Sequence, residues 1–467
     1  MKEKFNEKRE IKKALNYSTK DGVASTVAVS SGDNFVSAYA VSLGATNFQI
    51  GLLSALPTLL PVELFTPKAM EKFSRKKIVR FNALLQVACY ILIALVGLFL
   101  FKAPVLAASV LIFLFSIYAS AGLFMAPAWS SWMKDLTEKI HIGKYFGMRN
   151  KLFGIVGLIT IILAGFMLDK FKKSGYVFLG FAILFLIAAI GRTISASFMK
   201  KQYEPKLKLK KGYYFSFWEF IKKAPSNNYG KFSIFMALLI FAVNISGPFF
   251  SPYELNVLKF NFITFTLIHL VISATATLLT MPFWGRFIDR YGCRRTMAVT
   301  VWAIPVIPVL WIVSPSVYWL AFIQVFSGVA WAGFNLASGT FTYDAVTKER
   351  MNLCIAYTSI LNGVAVFFGA IIGGLIASMN IQFMNVLLFV FLISGILRMI
   401  IIAVMFPYIQ EVKQVRSAKP LIKIIMRPLR PLRDVLLAPL DIINHTHNKN
   451  AKEKFWPLVN ASKNKNS

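Results

Sequence analysis

Acidic residues are scarce in this chain. Asp and Glu number 20 against 52 Lys and Arg, and only 15% of the 467 residues are charged. A soluble chain of ordinary composition carries about a quarter. Cysteine is scarcer still. Cys89, Cys293 and Cys354 are scattered and fit neither a zinc spacing nor a disulfide framework. No P-loop, HExxH or nucleophile motif is present. The lack of a P-loop excludes an ATP-driven pump within this chain. Enzymatic activity, a cofactor and a bound metal are all unexpected. The opening MKEKFNEKREIKKALN leads into no short cleavable apolar core, so no signal peptide is expected.

What fills the space is apolar. Hydrophobic residues make up 57% of the chain, and runs of roughly 20, each enough to cross the hydrocarbon core as a helix, recur about twelve times. The pattern predicts an all-α polytopic membrane protein with twelve transmembrane helices. They fall near 22–43, 48–70, 78–101, 104–133, 152–168, 175–198, 232–252, 262–285, 296–313, 317–343, 352–378 and 383–406. Residues 1–20 read as a basic cytoplasmic arm, 21–198 as a six-helix half, 199–231 as a cytoplasmic linker, 232–406 as a second half and 407–467 as a basic cytoplasmic tail.

The formal charge of +32 would suggest nucleic acid in a soluble protein. Here it is distributed by side. Only Lys102, Lys170, Lys172, Lys173 and Lys259 fall in loops on one side. The positive-inside bias therefore sets both termini in the cytoplasm, in a plasma membrane by default, with no nucleic-acid role. The basic tail and the linker segment FSFWEFIKKA suit an anionic inner-leaflet surface. A monomer is expected.

Between the eighth and ninth apolar runs stands GRFIDRYGCRR, Gly285 to Arg295. A glycine at a helix end admits a neighbouring helix. An acid there can accept from another helix's N-terminal amides or pair with an arginine. Gly285, Asp289, Arg290, Gly292, Arg294 and Arg295 match the pattern GxxxD(R/K)xG(R/K)(R/K)(R/K), with Cys293 where a base is usual. The stretch resembles the signature loop of the major facilitator superfamily. That resemblance implies two parallel six-helix repeats around a central cavity lined by helices 1, 4, 7 and 10, opened alternately to each side.

An internal repeat points the same way without the loop. A shift of 218 residues places Glu71 on Asp289 and Lys76-Lys77 on Arg294-Arg295. A shift of 209 places Asp135 on Asp344 and Gly154 on Gly363, and one of 206 places Arg192 on Arg398. A parallel repeat with landmarks in one order is a recognised transporter design. The resemblance implies a conformational latch drawn from Glu71, Arg75, Asp135, Arg149 and the 285–295 stretch. In it, Arg149 would pair with Asp135 or Glu138, while Arg192 and Arg398 would snorkel to the inner surface or meet a latch acid.

Asp33 is the leading site candidate. It sits mid-way along helix 1, where an ionised aspartate costs at least ~2.5 kcal/mol to insert. Such a group either serves protons, ions or solute in a wet cavity, or is hydrogen-bonded structurally between helices. Asn34 lies about 100° further round the helix. Glu63, flanked by Pro61 and Pro67, is a second acid or a snorkelling one. Tyr118, Asn244, Gln324, Asn335 and Asn362 are mid-depth polar groups that interhelical hydrogen bonding explains as well as a ligand does. His269, alone on helix 8, reads as structural. Helix 4 lacks the arginine, and helix 5 the proline, usual in the superfamily's proton-driven drug antiporters. The leading expectation is a secondary active transporter of a small solute, proton- or cation-coupled through Asp33. A passive facilitator and a non-transporting receptor or scaffold are the alternatives.

Overall fold

The computed structural model describes residues 2–59, 61–137, 142–205, 216–347 and 350–412. The described residues form helices and turns and no strands. Eleven helical stretches are long and apolar enough to cross a membrane. These are span 2 (Asn47–Lys72), span 3 (Arg75–Phe99), span 4 (Pro104–Thr137), span 5 (Tyr145–Lys173), span 6 (Val177–Lys201), span 7 (Asn228–Val257), span 8 (Phe262–Tyr291), span 9 (Cys293–Val313), span 10 (Val317–Ala345), span 11 (Leu353–Ala377) and span 12 (Val386–Tyr408). Span 1 is the polar one. It runs as a helix over Lys2–Ser31, breaks into a 3-10 turn at Asp33–Phe35 and resumes over Val36–Ser42.

Residues 2–20 are therefore not a separate arm. They are the first turns of span 1, and Ile11, Ala14 and Leu15 pack on Trp132, Met133 and Leu136 at the end of span 4. The break that follows comes directly after a close contact. A Cβ at Gly32 would run into the Tyr90 ring of span 3, so only glycine admits that ring against the backbone. Span 2 also breaks, with Pro61 ahead of a 3-10 turn at Val62–Phe65, where proline cannot donate to the helix ladder.

The Gly285–Arg295 stretch is a helix end rather than a loop. Helix continues to Tyr291, Gly292 turns the chain at φ 88°, and Cys293 starts the next helix. The positive φ explains the second glycine of the motif. The first glycine faces open space, and Asp289 is exposed. Neither holds a neighbouring helix here. The amide at the start of span 9 is taken by another acid, with Arg294 N donating to Glu411 Oε2 at 2.9 Å.

Two sides can be told apart by their connections. One, the basic side, carries the start of the first helix, the described linker residues and the end of span 12. The other carries short turns. Both hydrogen bonds described between the halves lie on the short-turn side. Asn47 Nδ2 of span 2 donates to Ala377 O of span 11 at 2.6 Å. Phe262 N, at the start of span 8, donates to Asp169 Oδ1 of span 5 at 2.6 Å. Gly51 sits against the Ala370 carbonyl and Gly165 against Thr266. Phe181 meets Phe262 edge-on at 5.5 Å. The short-turn side is thus the closed one. Asp169 caps span 8 across the interface, as an N-cap acid does within a chain. Replacing it with alanine should loosen this closure by about 1–2 kcal/mol. A longer distance between spin labels at exposed positions 102 and 383, in short turns of different halves, with the melting temperature unchanged, is the expected result.

Candidate functional site

The break in span 1 presents Asp33 to two tyrosines from different helices. Tyr90 Oη of span 3 donates to Asp33 Oδ1 at 2.5 Å, and Tyr118 Oη of span 4 donates to Oδ2 at 2.9 Å. The two hydroxyls are 2.7 Å from each other. Both tyrosines are buried, Tyr90 completely. Their rings pack at 4.7 Å between centroids, and Phe115 stacks on Tyr118. Each hydroxyl thus meets the other hydroxyl and one carboxyl oxygen, closing a triangle of three side chains. A carboxyl so fixed by short charge-assisted contacts is rigidly placed.

Other candidates lie apart from this triangle. Asn34 is half-buried beside Asp33. Glu63 stands in the 3-10 turn of span 2 with Oε2 buried and unpartnered, and no described hydrogen bond joins it to Asp33. Asn244 donates to its own helix at Ile240 O, 2.8 Å away. Asn362 keeps a buried, unpartnered Oδ1. Gln324 is half-buried and Asn335 exposed.

The arginines behave differently from the snorkelling expectation. Arg192 is buried in the interior of its helix. It donates to Ser25 Oγ at 2.9 Å and Ser195 Oγ at 3.4 Å, and Ser195 Oγ donates to the buried Asp21 at 2.5 Å. These groups tie span 6 to span 1 on the basic side of Asp33. The repeat-related Arg398 makes the same kind of tie in the second half. It donates to Ile304 O at 3.1 Å, Val243 O at 3.3 Å and Ser246 Oγ at 2.7 Å. Their register turns them inward, where carbonyls and hydroxyls accept what water would have.

Arg149 does not meet Asp135, and Glu138 lies outside the described residues. Its guanidinium lies over the Phe153 ring at 4.5 Å and the Trp129 ring at 5.1 Å, a cation–π arrangement. Asp135 is taken by Arg75 at 2.6 Å. Arg75 also reaches Ser131 O at 3.1 Å, Pro205 O at 2.7 Å and Glu204 at 3.5 Å. Glu71 is exposed, as is Arg290. At the position repeating Arg75 stands Cys293, whose Sγ lies 3.8 Å from Asp344. The departure from the motif thus keeps its acid partner. The Arg294 guanidinium turns away from that acid and donates to Ile409 O. Arg295 is half-buried.

Tyr90, Asp21, Ser195 and Glu254 were not singled out by the sequence. A tyrosine inside an apolar run carries no mark until its neighbours are known. Glu254 follows Pro252 where the apolar run stops, which reads as a loop. The helix in fact continues through a π turn at Tyr253–Val257.

The sequence model of the Major Facilitator Superfamily matches residues 23–275 and again 232–444. No curated protein matches in sequence. Among solved structures, a nucleoside transporter NupG mutant superposes with a TM-score of 0.66 at 16% identity, covering 85% of this chain and 98% of that one. A D-xylose-proton symporter gives 0.67 at 12% identity, covering 87% and 100%. The inward open xylose transporter XylE from E. coli gives 0.63 at 13%, covering 86% and 97%. At such identities the likeness is one of fold. With the paired profile matches and the twelve-span repeat, it places this multi-pass membrane chain in the major facilitator superfamily.

Proposed function

We propose that the chain is a proton-coupled secondary transporter of a small, neutral, polar solute, with Asp33 as the proton carrier. The observation that carries this reading is the Asp33–Tyr90–Tyr118 triangle. Its three O···O contacts, of 2.5, 2.9 and 2.7 Å, need three protons. The two hydroxyls supply two, so one edge stays empty while Asp33 is ionised. A proton on Asp33 completes the ring. The triangle therefore suits both charge states without moving, as a reversible carrier must. Solute class is argued from charge. Among the polar candidates Asn34, Asn244, Gln324 and Asn362 none is a base, which disfavours a strongly anionic solute. Two neighbours of the same fold are named for nucleosides and D-xylose, neutral polyhydroxylated molecules.

Alternating access requires the halves to separate on the short-turn side as the basic side closes, with a proton and a solute as ligands that shift the two populations. The exposed Asp289 and Glu71 are then latch groups waiting for the other arrangement. The basic side is taken as cytoplasmic.

The test uses sealed proteoliposomes enclosing a pH-sensitive dye, with nucleosides and sugars added outside. Wild type should acidify the lumen only with a transported solute. Asp33→Asn should reduce that signal to the level of empty liposomes while labelled solute still exchanges. Undiminished proton movement in Asp33→Asn would remove Asp33 from the mechanism. Solute equilibration with no proton movement in wild type would make the protein a facilitator.

A further inference from the structure

The second half buries a charged pair that the Asp33 reading does not use. Glu254 lies in the π turn Tyr253–Val257 that ends span 7. His269 lies in a second π turn, Thr266–Ile272, near the start of span 8. His269 Nδ1 is 2.9 Å from Glu254 Oε2. The Glu254 side chain is 0% exposed and His269 is 25% exposed. Neither carboxyl oxygen, nor Nδ1 itself, has a hydrogen bond of normal geometry among the described residues, so the pair meets as charges alone. Phe265 stacks on the imidazole at 5.1 Å. The turn joining the two helices holds Lys259 at φ 56°, a conformation unfavourable for a side chain of that kind.

Two π turns in succession, each delivering one member of an ion pair, are unusual. Such turns cost regular hydrogen bonding and recur at functional sites. A buried acid that no hydrogen bond satisfies is a poor structural tie, because its desolvation is offset by one ion-pair contact alone. Its place in the fold is also informative. The π turn of span 7 packs against Val36–Ser42 of span 1, and that of span 8 against spans 5 and 10. The pair therefore sits in the layer where the halves close on the short-turn side, next to the Asp169–Phe262 contact.

We propose that Glu254 and His269 form a second proton-binding site, separate from Asp33, whose occupancy sets whether the short-turn side stays closed. The consequence for transport rests on the transporter reading; the site itself does not. With one shared extra proton the pair is neutral overall, as imidazolium and carboxylate. Without it the pair carries one negative charge in a dry interface. Opening hydrates that charge. Deprotonation thus favours opening, and proton capture favours closure. The other titratable or charged groups on the packed elements are Tyr39 of span 1, which donates to Ile93 O and accepts from Gly97 N, Tyr253 beside Glu254, and Asp169, Lys170, Lys172 and Lys173 at the end of span 5. Lys259 lies in the turn, and span 10 offers only exposed Tyr318 on this side. Of the groups in this layer, only the pair combines a histidine with a buried acid.

The experiment is electron–electron distance measurement in lipid nanodiscs without solute. Spin labels are placed by K102C and F383C, two exposed sites in short-turn connections of different halves; the native cysteines are buried. Between about pH 5 and 8, the histidine range, the open-to-closed ratio of wild type should rise, by up to about tenfold per pH unit for one proton. E254Q and the double variant E254Q/H269Q should both stay closed with a flat profile. D33N removes the carrier's own proton and should still show a rise over this range, set by the pair. A wild-type profile in E254Q, or no pH response in wild type, overturns the proposal. So does a response lost in D33N and kept in E254Q. Because no solute is present, a failure of the transport reading shows up only in the liposome assay.

Discussion

Arg75→Met should yield a protein that unfolds far more readily in detergent, by about 3 kcal/mol of lost stability. Arg75 is completely buried at the start of span 3. Its guanidinium joins the start of span 3, the end of span 4 and the first linker residues, through Asp135, Ser131, Pro205 and Glu204. Removing it strands several acceptors at once, and an acceptor left unpaired costs more than the bond was worth. Arg75→Lys should recover only part of the loss. An ammonium is a point charge, whereas these acceptors surround a planar fork. Asp135→Asn should be mild, since that carboxyl is 37% exposed and water can replace it. Melting followed by size-exclusion fluorescence orders the three variants. If Arg75→Met melts with wild type, the contacts are ornamental.

Gly51→Leu should shift the conformational balance instead of the stability. Gly51 of span 2 faces the Ala370 carbonyl and Gly374 of span 11, across the closed interface between the halves. A leucine cannot fit there without separating the helices, and overpacking costs about 1–3 kcal/mol. The cost falls on the closed short-turn arrangement alone, so the ratio of open to closed should rise about 5- to 150-fold. Gly373→Leu is the contrast. That glycine sits against Ile245 O, and Gly369 against Phe241 O, on span 7. Those contacts are within one half, and bulk there should impair folding. Labels at the exposed short-turn sites 102 and 383 report the first effect, and yield of monodisperse protein the second. Unchanged distances in a well-folded Gly51→Leu would show that this crossing does not gate.

The spans and the repeat were legible in the sequence because the bilayer imposes a length that no neighbour can cancel, and the penalty on a charge in the bilayer is what singled out Asp33. The limits of those spans were less so. Apolar runs end where the lipid ends, but helices continue into water. The Gly285–Arg295 stretch therefore read as a loop although it is helical to Tyr291. Glu254 was lost for the same reason, since a π continuation has no apolar period. Tyr90 was invisible because its meaning comes from Gly32, far away in the chain and directly beneath its ring. Arg192 and Arg398 were placed in the right repeat register, but their direction depends on the carbonyls that meet them.

The first helix has one more consequence. At 30 residues and ~1.5 Å per residue, Lys2–Ser31 is a rod of ~45 Å whose third and fourth turns, at Ile11, Ala14 and Leu15, pack on the end of span 4. Anything attached to its start is carried as a rigid pointer by the first half of the protein. A fluorophore fused there without a flexible spacer would report the tilt of that half directly, turning the rocking of a single molecule into a change of polarisation.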